Sequence, residues 1–277
     1  MPMQVNYSKG TANGAVIKRI IGGSDKKEPV FNFIDCYNCD QETTDYLLNH
    51  LTSDYVVPQI ANNSNHTKKN LLYKLFYYNN AKEININREI NLVANTSTFS
   101  YIPTSNLFSY STVETIKGSG GFRCNVPINF EYAFAASNLK SVDMNVFLGT
   151  DNGKAVTSAK SMFGSDTLLE EILNLDLTNI NGSVTGMFGT STSTSPKLKR
   201  LTFRKGTEIA KYYTSDLVIP MNYITTLTRD ALMEMLDTLE PNTTGKARKF
   251  QLNSAVYALL SEDDISAFTA KNYTVYA

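Results

Sequence analysis

Cys36 and Cys39 stand three apart in "DCYNCD", the spacing of a redox dithiol or of half a zinc site. A zinc site needs four ligands. The chain holds three cysteines, no second C-x-x-C, and only His50 and His66 as histidines. Ordinary reduced thiols are the simpler reading. Glu262, Asp263 and Asp264 form an acidic run that could hold a cation, but they follow Ser261 at the start of a helical pattern. There acids complement the helix dipole. "KGSGGF" (117–122) is too short for a phosphate loop and reads as a turn between coils. Neither H-E-x-x-H nor G-x-S-x-G occurs. Asp143 and Asp176 remain. If both point outward from adjacent parallel strands, about 4.8 Å apart, they approach the roughly 5–10 Å separation of a glycosidase pair. An open strand face lacks the enclosed cleft that raises an acid's pKa. The expectation is therefore a non-enzymatic chain with no catalytic residues, cofactor or metal.

The elements that would position these residues are repetitive. Phe108, Phe134, Phe163 and Phe188 recur at intervals of 26, 29 and 25 residues. An apolar-x-x-apolar-x-apolar anchor follows as Leu139/Val142/Met144, Ile172/Leu175/Leu177 and Leu198/Leu201/Phe203, and an incomplete copy holds Val113 and Ile116. This period and anchor form the leucine-rich-repeat pattern. In a short strand residues two apart share a side, so Leu175 and Leu177 face the core while Asn174 and Asp176 face out. No coil buries its apolar side alone, so coils stack and their strands form a parallel sheet. The phenylalanines are expected to be buried in a stack on the wall opposite the strands, with Leu175 beside Leu201.

The expected fold is an α/β leucine-rich-repeat-like solenoid of short parallel strands, with a helical C-terminal cap and a mixed α+β N-terminal region. Its parts are residues 1–95, 96–225 and 226–277. At the C-terminal end, "TLTRDALMEMLDTLEP" reads as a helix capped by Thr228 and ended by Pro241. "ARKFQLN" reads as a strand, "SEDDISAFTAKN" as a helix capped by Ser261, and "YTVYA" as a closing strand. Toward the N-terminus, "GAVIKRIIGG" and "EPVFNFIDCY" read as strands, "QETTDYLLNHL" and "TKKNLLYKLFYYNN" as helices, and "KEININREINLVA" as a strand.

The 277 residues carry 26 basic and 26 acidic side chains. That balance leaves no electrostatic footprint for nucleic acid or an anionic membrane. No stretch has the roughly 18–20 apolar residues of a membrane helix, and the opening residues show no secretory signal pattern. The expected contact surface is the strand face, with Thr115, Lys117, Ser141, Asp143, Asn174, Asp176, Arg200, Thr202 and Arg204 presented to a protein or a glycan; an ordinary solvated face is the competing reading. Tyr73, Phe76, Tyr77 and Tyr78 crowd one short segment read as a helix apolar on more than one side. Such a helix needs more than one partner surface, so it is either a docking element or part of an N-terminal cap.

The "MF" pair, its small-residue loop and the L-x-x-L-x-L that follows resemble the BspA-type leucine-rich repeats of gut bacterial surface proteins. The closing segment "LTRDALMEMLDTL…TTGKARKFQLN…LLSEDDISAFTAKNYTVYA" is similar to that of repeat proteins encoded by gut bacteriophages. Asn272 and Tyr273 stand where that pattern usually has Gly and Trp, and the frequent Cys near the MF loop is missing. The resemblance covers roughly residues 100–277. It implies a virion structural protein of the tail, baseplate or a fibre, assembled in the host cytoplasm. Its partners would be other virion proteins, a second copy of itself as a homo-oligomer, or a host surface protein or glycan. A BspA-like adhesin on the bacterial cell surface is the alternative, and a glycan-active enzyme the least favoured reading.

Overall fold

The computed structural model describes residues 39–49, 54–56, 76–93, 102–103, 106–124, 128–148 and 156–277. Helix α1 (Gln41–Asn49) and strand β1 (Asp54–Val56) lead into a stack of coils. The second coil holds β2 (Glu83–Asn85), β3 (Glu89–Val93) and β4 (Ile102–Pro103). The third holds β5 (Thr115–Lys117), β6 (Gly121–Cys124) and β7 (Ile128–Asn129), and the fourth β8 (Ser141–Asp143), β9 (Phe147–Leu148) and β10 (Val156–Ser158). Then β11 (Glu171–Leu175) and β12 (Arg200–Phe203) extend the first wall. The chain continues through β13 (Leu217–Met221), α2 (Arg229–Asp237), β14 (Arg248–Leu252), α3 (Ser254–Tyr257), α4 (Glu262–Ala270) and β15 (Tyr273–Tyr276).

Every strand pairing among the described residues is parallel. The walls run β2-β5-β8-β11-β12, β1-β3-β6-β9 and β4-β7-β10, and a last sheet runs β13-β14-β15. The repeat is thus a parallel β-solenoid, as its period implies. The expected two-walled coil has three walls. Sheet pairing begins at residue 54, so part of the segment before residue 96 shares the solenoid sheets.

Each circuit closes through a turn carrying one buried phenylalanine. Phe76, Phe108, Phe134, Phe163 and Phe188 stack with successive ring centroids 4.6, 5.4, 5.2 and 6.1 Å apart, their planes within 10° of parallel. Ring spacing follows coil spacing because the backbone at the ring is itself bonded between coils: the Phe108, Phe134 and Phe163 amides donate to the Ala133, Met162 and Met187 carbonyls. Phe76 opens this stack. The described part of the segment read as a docking helix, residues 76–80, is a turn with Phe76 in the core, while Tyr73 lies outside the described residues.

On the first wall the inward column is Ile84, Ile116, Val142, Ile172 and Leu201. Leu201 therefore pairs with Ile172, and Leu175 pairs with Phe203, which corrects the expected Leu175–Leu201 neighbours. The cause is Asn174, held at φ 57°. This left-handed residue, tolerated best by Gly, Asn and Asp, inserts a bulge between Ile172 and Leu175 and lets both point inward. The same bulge turns Asp176 inward, and Asp176 and Thr202 are buried rather than displayed.

"KGSGG" is a corner within one coil, between β5 and β6. Gly120 and Gly121 donate to the Ile86 and Arg88 carbonyls of the preceding corner. A Cβ on Gly120 would collide with the Arg88 backbone, so only glycine permits this approach.

Side chains of α1, of α2 and of its C-cap Thr238 bond the two edge strands of the first wall. At β2, the Gln41 carboxamide oxygen accepts from the Lys82 and Glu83 amides, at 2.8 and 2.9 Å, while its nitrogen donates to the Glu83 carbonyl at 2.7 Å. One side chain thus stands in for a missing strand. At β12, the Thr238 hydroxyl accepts from the Phe203 amide at 2.9 Å, and Arg200 makes a bidentate pair with Glu234 of α2. A sheet edge with unpaired backbone groups invites association, and here those groups have partners. The C-terminal elements form where the sequence pattern places them. Thr228 caps α2 by accepting from the Ala231 amide, and Ser261 forms a reciprocal capping box with Asp264.

Candidate functional site

The residues expected to face a partner from the first wall are largely paired with one another. Lys117 pairs with Glu83 at 2.8 Å, and Glu114 bridges Lys82 and Lys140 at 3.0 and 2.6 Å. Hydrogen bonds from Lys140, then Lys82, hold the Glu114 carboxyl below its ordinary range. Asp143 accepts from the Asn145 amide and from the Asn174 carboxamide. Arg204 spans Asp176, Asn145 and the Met144 carbonyl, and Thr202 accepts from the Asn174 amide. Thr115 and Ser141 remain half-buried on the same wall. Adjacent coils thus place opposite charges side by side, as cross-strand pairs do, and the side chains read as a contact face act largely as coil-to-coil ties. Asp143 and Asp176, tied separately to Asn174 and Arg204, form no facing carboxylate pair.

Cys39 is buried, with Cys36 and His66 outside the described residues. No group of three His, Cys, Asp or Glu side chains suited to a metal occurs among the described residues. Asp264 has a different task from metal binding: Arg229 reaches both its oxygens at 2.6 and 2.8 Å. That pairing, with the Ser261 amide and hydroxyl, holds its carboxyl far below the usual range.

Asp166 is the exception in the core. It lies three residues after Phe163, in the column that holds Asn79, Ser111 and Ser137, and it is fully buried. Its Oδ2 accepts from the Ser137 hydroxyl at 2.9 Å, while Oδ1 has no partner. Burial pushes its pKa well above the ordinary 3.8, and the Ser137 bond offsets only part of that. A raised folded pKa contributes stability that is complete below the unfolded value and is lost as pH rises through the folded one. Asp166→Asn carries no titrating proton. Its Tm relative to the unmodified chain is therefore expected to climb as pH is raised from about 4. Parallel Tm curves from pH 3.5 to 8 would show that Asp166 is ionised in the fold.

One surface with an unfilled depression is the edge formed by the phenylalanine turns. The Phe108, Phe134 and Phe163 turns each carry left-handed residues two before and two after the ring, Phe76 has one two after it, and Phe188 has one two before it. Tyr78, Tyr110, Ala136 and Ser165 occupy the following column, and Asn106, Tyr132, Ser161 and Gly186 the preceding one. Between these columns lies a groove of about 240 Å³ lined by Tyr110, Tyr132, Ala136, Ser161, Gly164 and Thr190, among others. A second depression, walled by Val218, Tyr223 and Gln251, shares Gly186, Gly189 and Thr190 with it, so the furrow continues onto the last sheet. Sequence reasoning missed this edge. Its signal was present in Tyr78 and Tyr110, each two residues after a phenylalanine of the repeat, and in Tyr132, two before Phe134. Among protein-family models, curated proteins and solved structures, no match to this chain is found.

Proposed function

We propose that this chain is a non-enzymatic recognition component of a bacteriophage particle, of its tail, baseplate or a fibre, with a leucine-rich-repeat-like solenoid closed by a helical C-terminal cap. The observation that carries the reading is the division of labour on the surface. Charged side chains of the strand wall tie coil to coil, while the turn edge presents exposed tyrosines beside an open furrow. A rigid scaffold with a separate presenting edge suits binding. The similarity of the closing segment to phage repeat proteins supports the location.

Phe76 belongs to the core and Gln41 of α1 bonds the β2 edge, and attachment to the particle, expected of residues 1–95, is tested first at residues 1–38. Deleting residues 1–38 keeps α1 and every strand among the described residues. The truncated chain is expected to remain folded, by circular dichroism and Tm, and to disappear from gradient-purified particles. Mass spectrometry of particles released by cells encoding the chain checks this. Full-length protein found only in cell-envelope fractions would replace the virion reading with the surface-adhesin one.

A further inference from the structure

The left-handed positions on the turn edge are filled in an unexpected way. Backbone at φ of 50–60° suits Gly, Asn or Asp, and a bulky side chain there is unusual. Tyr110 sits at φ 56° and Tyr132 at φ 55°. Strained backbone of this kind persists where the surroundings enforce it, and it concentrates at binding sites. Neither ring is used to fill the core: Tyr110 is 53% exposed and Tyr132 is 38% exposed.

Their placement is specific. The Tyr110 ring stacks on Tyr78 of the preceding coil at 5.5 Å and 20°. The next rungs of that column are Ala136 and Ser165, so the aromatic column stops and the far face of Tyr110 looks over two small residues. The vacancy has the thickness of a ring, because coils repeat at the strand spacing of about 4.8 Å. The lining is neutral throughout: Tyr, Ala, Gly, Ser, Thr and Asn, without a carboxylate or a cation. Lys160 Nζ lies over the Tyr132 ring, 5.7 Å from its centre and outside the lining.

We propose that this groove binds a neutral oligosaccharide, with one pyranose stacked on the free face of Tyr110 above Ala136. The C–H face of a pyranose is apolar and slightly positive, which complements the negative face of an aromatic ring. Its edge hydroxyls would meet Asn106, Ser161, Ser165 and Thr190, the few polar groups that fix orientation in such a groove. An acidic saccharide finds no paired cation in the lining, and a flat apolar ligand leaves the hydroxyls unmatched. The proposal rests on the recognition reading above and names its ligand class.

The chain contains no Trp, so its intrinsic fluorescence comes from tyrosine. The full chain is titrated with chitohexaose, maltohexaose, cellohexaose and mannohexaose, and with hexagalacturonate as the acidic control, followed by fluorescence and calorimetry. At least one neutral hexamer is expected to bind, and hexagalacturonate at least tenfold more weakly. Tyr110→Asn and Tyr132→Asn remove the rings yet keep a residue that tolerates the left-handed backbone. Each is expected to weaken binding at least tenfold with Tm unchanged or raised. Tyr110→Phe keeps the ring and is expected to bind within threefold of the unmodified chain. Failure of all four neutral sugars, equal binding of the acidic one, or binding indifferent to the Asn variants would each overturn the proposal. A fall in Tm with both Asn variants, without loss of binding, would assign the rings to stability instead. The particle test above is independent: a chain that incorporates but binds no sugar sinks this inference alone.

Discussion

Phe134→Ala is expected to destabilise the solenoid by about 3–5 kcal/mol, the usual cost of deleting a large aromatic from a packed core. Phe134 sits at the centre of the ring stack, 5.4 Å from Phe108 and 5.2 Å from Phe163. It also meets Phe130 and Phe147 at 6.0 and 5.8 Å. Its removal leaves a cavity walled on several sides by rings that belong to different coils and cannot collapse together. Phe188, at the end of the column, stacks on Phe163 alone among the rings. Phe188→Ala is accordingly expected to cost less. Chemical denaturation of both variants gives the comparison. Equal losses would mean that the column is a row of independent plugs.

Arg248→Ala is expected to cost a similar amount for a different reason. Arg248 is 1% exposed, and among the described residues its guanidinium has no carboxylate at bonding distance. It donates instead to carbonyls of Ile209, Ala210, Tyr213 and Ser215, at 2.8 to 3.0 Å, and so gathers the loop before β13 around one side chain. Each buried carbonyl left without a donor costs on the order of 1–3 kcal/mol, and water entering the space recovers part, for a total of about 3–5 kcal/mol. Tyr273 closes the same region: its hydroxyl donates to the Glu240 carbonyl, and burial pushes its pKa to about 12. Arg248→Lys offers three donors on a point charge rather than a planar fork. It is expected to recover under half of the loss. Thermal melts and hydrogen exchange over residues 209–215 check both variants. Unchanged protection in that loop would refute the bridging role.

The solenoid was legible because its strongest signal is periodic. Phe108, Phe134, Phe163 and Phe188 occupy equivalent turns, and the capped helices after Thr228 and Ser261 form as their sequences dictate. Phe76 was misread because "LLYKLFYY" also carries a helix-like apolar spacing. The anchor register slipped by three at Asn174, since a left-handed bulge leaves no mark in an apolar pattern. Strands as short as Ile128–Asn129 carry too few residues to show a period of two, which hid two of the three walls. The strand-face side chains looked available because alternation tells which way a residue points, not what stands one coil away. Glu83 and Lys117 are 34 positions apart, and only stacking makes them neighbours.

The bonds made at the two edges of the first wall by Gln41 and Thr238 also bear on how such a chain changes length. At the sheet edges Gln41 bonds the backbone of Lys82 and Glu83, and Thr238 that of Phe203. Neither end senses how many strands lie between them. A tandem duplication of one Phe-to-Phe unit would insert a rung in the middle, extend the ring column by one, and leave both lids seated on the strands they already fit. Loss of a lid has the opposite character, since it opens a backbone edge that any extended chain can join. Selection on this architecture should therefore tolerate variation in rung number while holding the two lids fixed.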